Sequence, residues 1–270
     1  PLYSSAASDV YKRQVKYKRH DGPARYYEIE GVPELAGVLL PSVTSVLRVI
    51  HKEGLMGWSR NVALAKVRDV LRIAYSLAEV SQTLGVNAEE WADGIISAAR
   101  ARPDQMRDEA GNFGTRVHSL IEAYLKGEEP EVPPELGVAF NNFLAWQRQS
   151  GLDIQLFEQV VYSKRYRYAG TFDAYAIDRR TGRHVILDWK TSNAIYPEMS
   201  LQAAAYAIAY KEMWQVPITD AWIVRLGKSR PEFEAQRVRS IARAFAGFRG
   251  ALDLWSTLNR GELLEVGGGN

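Results

Sequence analysis

Asp173 and the run Asp188-Trp189-Lys190 place two carboxylates and an ammonium on a stretch, Gly170 to Lys190, that reads as a strand pair. Strand residues alternate between faces, so Asp188 and Lys190 point one way while Val185, Leu187 and Trp189 point the other. The segment Arg179-Arg180-Thr181-Gly182 is turn-like, and folding symmetrically about it sets Asp173 opposite Asp188 in an antiparallel pair. Directly paired residues have Cβ atoms about 4.5–5.5 Å apart, a range at which like charges repel. A hard divalent cation such as Mg2+ or Mn2+ relieves that repulsion through oxygen ligands, and Lys190 beside it supplies positive charge for a developing oxyanion. A hairpin whose acids face water and pair with nearby arginines also fits the bare D…DxK spacing. The flanking residues decide against it.

Two helical segments add to this set. In Gly114-Thr115-Arg116-Val117-His118-Ser119-Leu120-Ile121-Glu122, His118 and Glu122 are four apart and share a face. A helical histidine also fits a satisfied surface or core position; glycines at 111 and 114, which allow close approach of a backbone or phosphate, favour a ligand. Gln202 and Tyr206 are likewise four apart, on a segment whose Ala203-Ala204-Ala205 and Ala207-Ile208-Ala209 pack against a sheet. They read either as a polar cap on a core helix or as functional groups. In the second case Gln202 hydrogen-bonds a phosphate or base, and Tyr206 stacks or contacts a phosphate.

The elements that carry these side chains follow from periodicity and punctuation. Residues 1–14 lack pattern and resemble translated adapter sequence, so they are set aside as a non-native tail. Val15 to about Glu30 suggests a hairpin about Asp21-Gly22-Pro23, and Pro41-Ser42 opens a helical stripe of Val43, Val46, Leu47 and Ile50. A helical lobe continues to about Arg102 through Trp58–Ala78 and a piece capped at Asn87, and Pro103 opens the next element. Then come helices at Phe113–Lys126 and Glu135–Gln149, followed by strands at Ile154–Ser163, Gly170–Asp178 and His184–Lys190. A helix over Met199–Trp214, strands near Ala221–Leu226 and Phe233–Val238, and a helix from Ser240 to about Leu258 complete the order. The domain reading is 15–110 for hairpin and lobe within one domain, 111–260 for the core, and 261–270 for a tail.

The 270 residues, 46% of them hydrophobic, suffice for one large domain. Lys and Arg number 34 against 32 Asp and Glu, a net charge of +2, so a nucleic-acid partner must be held by a local patch such as Lys164-Arg165-Tyr166-Arg167. A solvated strand end fits that run as well. There is no cysteine, which excludes disulfides, thiolate nucleophiles, Cys-held zinc and iron–sulfur clusters. No apolar run approaches the roughly 18 residues of a membrane span, and no signal peptide is visible, so a cytoplasmic protein without membrane contact is expected.

Five stretches occur in an order that resembles the PD-(D/E)XK nucleases of the RecB-like exonuclease group, which includes phage exonucleases, CRISPR-associated adaptation nucleases and the mitochondrial genome maintenance exonuclease. They are Gly114 to Glu122, Glu158, Ala169-Gly170-Thr171-Phe172-Asp173, Asp188-Trp189-Lys190-Thr191-Ser192 and Gln202-Ala-Ala-Ala-Tyr206, with Leu40-Pro-Ser-Val-Thr-Ser-Val-Leu47 similar to a segment upstream of the lobe. The resemblance implies an α+β, restriction-endonuclease-like core: a mixed central sheet flanked by helices, with an N-terminal helical lobe. It implies His118, Asp173, Asp188 and the Trp189 carbonyl as ligands of one or two Mg2+ or Mn2+ ions and Lys190 as the catalytic lysine. Glu158 and Glu122 are second-shell or second-metal acids. Gln202, Tyr206, Thr191, Arg116, Lys164, Arg165, Arg167, Ser42 and Thr44 are DNA contacts. Some relatives carry a four-cysteine iron–sulfur cluster, which this chain cannot.

The expected activity is metal-dependent hydrolysis of DNA by a monomer in a prokaryotic or phage-infected cell. It acts on ends or single strands in recombination, repair or CRISPR-type processing. A structure-specific endonuclease of the same fold and a catalytically silent DNA-binding protein remain open as alternatives. A sugar-active or merely metal-binding protein is disfavoured by the strand placement of the acids.

Overall fold

The structure, a computed structural model, describes residues 15–50, 53–81 and 88–259. They divide into two units, one formed by residues through Ile50 together with those from Arg116 onward, the other by His51–Thr115. The expected cap at Asn87 and both terminal tails lie outside the described residues.

In the first unit, β1 (Tyr17–His20), β2 (Tyr26–Ile29) and β3 (Leu39–Pro41) form a three-stranded antiparallel sheet. The hairpin read from the sequence is β1–β2; β3 was not foreseen, because Leu40-Pro41 looks like a helix start. Ser42 marks the change of state, its hydroxyl accepting the Ser45 N–H at 3.0 Å as the cap of a four-residue helix, α1 (Val43–Val46). Tyr27, Ile29, Leu35 and Leu40 pack on Val160 and Ala169 of the larger sheet, and Ser42 bridges to Ala169.

That larger sheet has the order β4 (Leu152–Ser163), β5 (Tyr168–Asp178), β6 (His184–Lys190), β7 (Asp220–Leu226) and β8 (Phe233–Arg237). Only β6 and β7 are parallel. Their connection needs a crossover, supplied by a helix (Pro197–Trp214), whereas β5 and β6 close through a short turn. In that turn the Asp178 carboxylate accepts the N–H groups of Arg180 and Thr181, and Gly182 takes φ +68°, a conformation glycine adopts without penalty.

Helices cover both faces of the sheet. A helix at Gly137–Ser150 sets Phe143 and Trp146 edge-on to Trp189, with ring centroids 5.3 and 6.1 Å away. On the other face the alanine-rich crossover helix and the closing helix (Ile241–Asn259) share a core with Ile186 and Ile223, and Tyr210 stacks on Tyr175. The molecule is thus a mixed α+β protein with a five-stranded mixed sheet.

The long helices of the chain are α2 (Glu53–Ser81), α3 (Ala88–Leu125), α4 (Gly137–Ser150), α5 (Pro197–Trp214) and α6 (Ile241–Asn259). Against expectation, Pro103 opens no new element and lies inside α3. Removing one backbone donor costs about 3 kcal/mol, and the strong helix formers on either side, Ala98-Ala99-Arg100-Ala101-Arg102 and Asp104-Gln105-Met106-Arg107, carry the helix through it. No helix among the described residues is long and apolar enough to cross a membrane.

Candidate metal centre

Three adjacent strands each contribute one acid to the same row. Phe157↔Ala174 and Gln159↔Phe172 flank Glu158 opposite Asp173, and the pairing of β5 with β6 ends at Ala174↔Leu187, so Asp173 and Asp188 are the residues that follow where the two strands part. Glu158 takes φ +47° in the middle of β4, a left-handed conformation that a non-glycine residue holds at a cost of about 1–3 kcal/mol.

His118, from the last turns of α3, reaches this row. Its Nδ1 lies 3.5 Å from Asp173 Oδ1 and 3.8 Å from Glu158 Oε1, while its Nε2 donates to the Trp189 carbonyl at 3.1 Å. Ligand atoms from His118, Glu158 and Asp173 all lie within 4.8 Å of one another. Two ligands on one small hard cation stand about 3 Å apart when adjacent and about 4 Å apart when opposite, given bond lengths of about 2.1 Å. The two imidazole–carboxylate separations, 3.5 and 3.8 Å, fit that range, and the cluster could hold a metal ion.

Trp189 ties two ligands through its backbone. Its carbonyl accepts from His118, fixing which ring nitrogen faces the acids, and its N–H donates to Asp173 Oδ2 at 2.6 Å. The Trp189 carbonyl, expected as a metal ligand, is placed as the acceptor that orients one.

Asp188 is fully buried. Its Oδ2 pairs with Lys190 Nζ at 2.7 Å, but Oδ1 has no hydrogen-bond partner among the described residues. A buried carboxylate oxygen left without a donor is costly, and a cation resolves that cost.

The charges respond accordingly. Burial pushes the Asp188 carboxyl up to about 6, with Lys190 opposing and the neighbouring Asp173 charge adding. Burial also works against the charge on His118, but the Asp173 and Glu158 carboxylates outweigh it and raise the imidazole to about 10. Asp173 is pushed up by burial, yet His118, Lys190 and the Trp189 N–H hold it below its ordinary range. Glu158 is raised by burial and by the charges of Asp173 and Glu122. Glu122 itself pairs with Lys126 at 2.8 Å.

Gln202 donates to the Tyr206 hydroxyl at 3.1 Å, and burial, reinforced by the Asp188 charge, keeps that phenol well above its ordinary range. Tyr206 is only 3% exposed, with its ring against the Gly170 backbone, so it forms part of the wall beside Asp188 and has no open face on which a base could stack. Ser42, 2% exposed and occupied by its capping bonds, is closed to a phosphate. Thr44 is exposed, its hydroxyl 3.1 Å from that of Ser42. Thr191 is buried directly after Lys190. Arg116 is exposed and pairs with Glu135 at 2.7 Å.

Lys164, Arg165 and Arg167 sit in the β4–β5 turn, about 20 Å along β5 from Asp173. There Lys164 pairs with Glu34 at 3.0 Å, Arg165 lies over the Tyr166 ring at 5.2 Å, and Glu212 accepts the N–H groups of Lys164 and Arg165.

No family model and no curated protein matches the chain. Among solved structures it is similar to the crystal structure of SSO0001, at 14% identity over 65% of this chain and 70% of that one, with a TM-score of 0.30.

Proposed function

We propose that the protein is a divalent-metal-dependent deoxyribonuclease of the PD-(D/E)XK type, an exonuclease acting on DNA ends or single strands with Mg2+ or Mn2+. The observation that carries this reading is the row Glu158, Asp173 and Asp188 on neighbouring strands, with His118 closing one side and Lys190 bound to the last acid. A binding module has no need to bring three acids together beside a lysine.

A hard divalent ion held there would lower the pKa of a bound water and polarise a phosphodiester. Asp173, Glu158 and His118 Nδ1 would supply its ligands, while Asp188, which lies outside that cluster, keeps an Oδ1 without a hydrogen-bond partner among the described residues. Lys190, held charged by Asp188 and Asp173 against the effect of burial, orients the attacking water and offsets the charge that grows on the phosphoryl oxygens. Tyr206 and Gln202 fix the wall beside Asp188.

The test is digestion of DNA labelled at either end, linear and closed circular, with Mg2+ or Mn2+. Lys190→Ala and Asp188→Ala lower cleavage by at least about a hundredfold while the fold, followed by circular dichroism, persists. Full activity in both variants overturns the reading. Equal loss of circular and linear strands replaces the exonuclease by an endonuclease.

A further inference from the structure

Two guanidinium groups from distant parts of the chain are gathered on one ring outside the centre described above. Arg165, in the β4–β5 turn, and Arg249, on α6, lie over the Tyr166 ring with their Cζ atoms 5.2 and 5.4 Å from its centroid, and Tyr166 packs edge-on against Phe245 at 4.9 Å. Both arginines are exposed, and neither forms an ion pair among the described residues. Arg167, also exposed, follows in the same turn. Like charges gathered on one ring repel, and a polyanion beside them relieves that repulsion.

The acids of this neighbourhood do not neutralise the pair. Glu34 is taken by Lys164 at 3.0 Å, and Glu212 accepts the Ser163 hydroxyl at 2.6 Å and the N–H groups of Lys164 and Arg165 at 2.9 and 3.1 Å. Asp253, four residues along α6 from Arg249, is exposed. The same bonds, with the Tyr166 N–H on the Ser163 hydroxyl and the Arg167 N–H on the Ser163 carbonyl, hold the turn in one shape. Its place in the fold also suits a substrate. β6, antiparallel to β5, runs on past Ala174↔Leu187 to Lys190 in the direction of this turn, and Ile186, which shares a face with Asp188 and Lys190, belongs to the core that holds Tyr166 and Phe245. The ring and its two arginines thus stand towards the same end and on the same side of the sheet as Lys190, about 20 Å along β5 from Asp173.

We propose that Arg165 and Arg249, held over Tyr166, clamp the phosphate backbone of a single DNA strand at a distance from the bond cut at the centre. The inference rests on the nuclease reading and adds to it a second hold on the substrate. A guanidinium presents a planar fork of donors to a phosphate, and a ring that already holds each fork reduces the ordering entropy lost on binding. The clamp also sets a length: with phosphates about 3.4 Å apart along the strand axis, about six nucleotides reach from the centre to the turn, and a shorter strand occupies the centre without touching the arginines.

The test is fluorescence anisotropy in chelator, across a salt series, of a labelled thymidylate tetranucleotide and a strand of about 20 nucleotides, beside cleavage of the same strands with Mn2+. The variants are Arg165→Ala/Arg249→Ala, the charge-keeping Arg165→Lys/Arg249→Lys, and Arg179→Ala/Arg180→Ala in the turn at the opposite end of the sheet. The Arg165/Arg249 alanine pair narrows the wild-type preference for the longer strand about tenfold and lowers its slope of log affinity against log salt by about 1.4, whereas the lysine pair keeps the slope and the Arg179/Arg180 pair behaves as wild type. Wild-type preference and slope in the alanine pair, with wild-type protein that cleaves the longer strand, overturns the clamp and leaves the nuclease reading standing. A slope lost equally in the lysine pair assigns the effect to packing and likewise overturns the clamp. Binding that the alanine pair weakens as expected, in a protein that cleaves neither strand, upholds the clamp and overturns the nuclease reading. A wild-type protein that neither binds nor cleaves the longer strand overturns both.

Discussion

Glu158 combines backbone strain with a place in the candidate ligand cluster, so one substitution is expected to act in opposite directions on stability and on metal binding. Glycine adopts its φ of +47° freely and removes a carboxylate beside Asp173. Glu158→Gly is therefore expected to raise the melting temperature of the metal-free protein, reflecting about 1 kcal/mol of relieved strain, while weakening Mn2+ binding about tenfold in calorimetry. A variant that binds Mn2+ as tightly as wild type removes Glu158 from the ligand set. His118 predicts a pH dependence. Its folded pKa of about 10 lies above the ordinary 6.5, so the stability it contributes is complete below about 6.5 and is lost as pH rises through about 10. Asp188, raised from 3.8 to about 6, acts in the same direction at lower pH, because its protonated form suits the folded site better. In chelator the melting temperature should fall as pH climbs from 6 towards 10. Mn2+ should stabilise more as pH rises, since Nδ1 must lose its proton to bind. A flat profile in chelator contradicts the charged imidazole.

Close approach between elements sets the walls of the centre. At Gly170 of β5 an added Cβ would stand 2.7 Å from the Tyr206 ring and 3.3 Å from Val43, so Gly170→Ala has to displace a buried tyrosine of α5. The expected loss is about 1–3 kcal/mol in urea unfolding, with weakened metal binding, because Tyr206 lies beside Asp188. Unchanged stability would mean the ring moves aside freely. The hairpin was legible in the sequence because a symmetric turn and period-two alternation are local signals, and the observed register from Ile177↔His184 to Ala174↔Leu187 keeps that symmetry. The same folding argument applied to the turn Lys164–Arg167 pairs Glu158 with Asp173, a step that treating Glu158 as a peripheral acid missed. Long-range partners were not legible. Nothing local announces that the Trp189 carbonyl meets His118, 71 residues away, that β3 joins β2, or that the flanks of Pro103 carry a helix through it.

For the chain as a unit, an ion bound at the centre would couple folding to metal. An ion that binds the folded site and not the unfolded chain, present at a hundredfold over its dissociation constant, adds about 2.7 kcal/mol. Thermal unfolding should therefore shift upward with Mn2+ in wild type and hardly at all in Asp173→Asn. An equal shift in both places the ion elsewhere. Composition excluded thiol and iron–sulfur chemistry outright, yet it said nothing of how the hairpin segment and the core join. The structure puts residues through Ile50 with those from Arg116 onward.

The double backbone tie at Trp189 carries a consequence for anyone who mutates this protein at random. The indole is held from behind by Phe143 and Trp146, on the side of the sheet away from Asp188 and Lys190. Truncating either ring lets the main chain of residue 189 drift, and with it both the carboxylate and the imidazole that this main chain steers. A screen for clones that no longer respond to metal ought to return greasy positions with no ligating atoms, sorted by how firmly they brace a single peptide group.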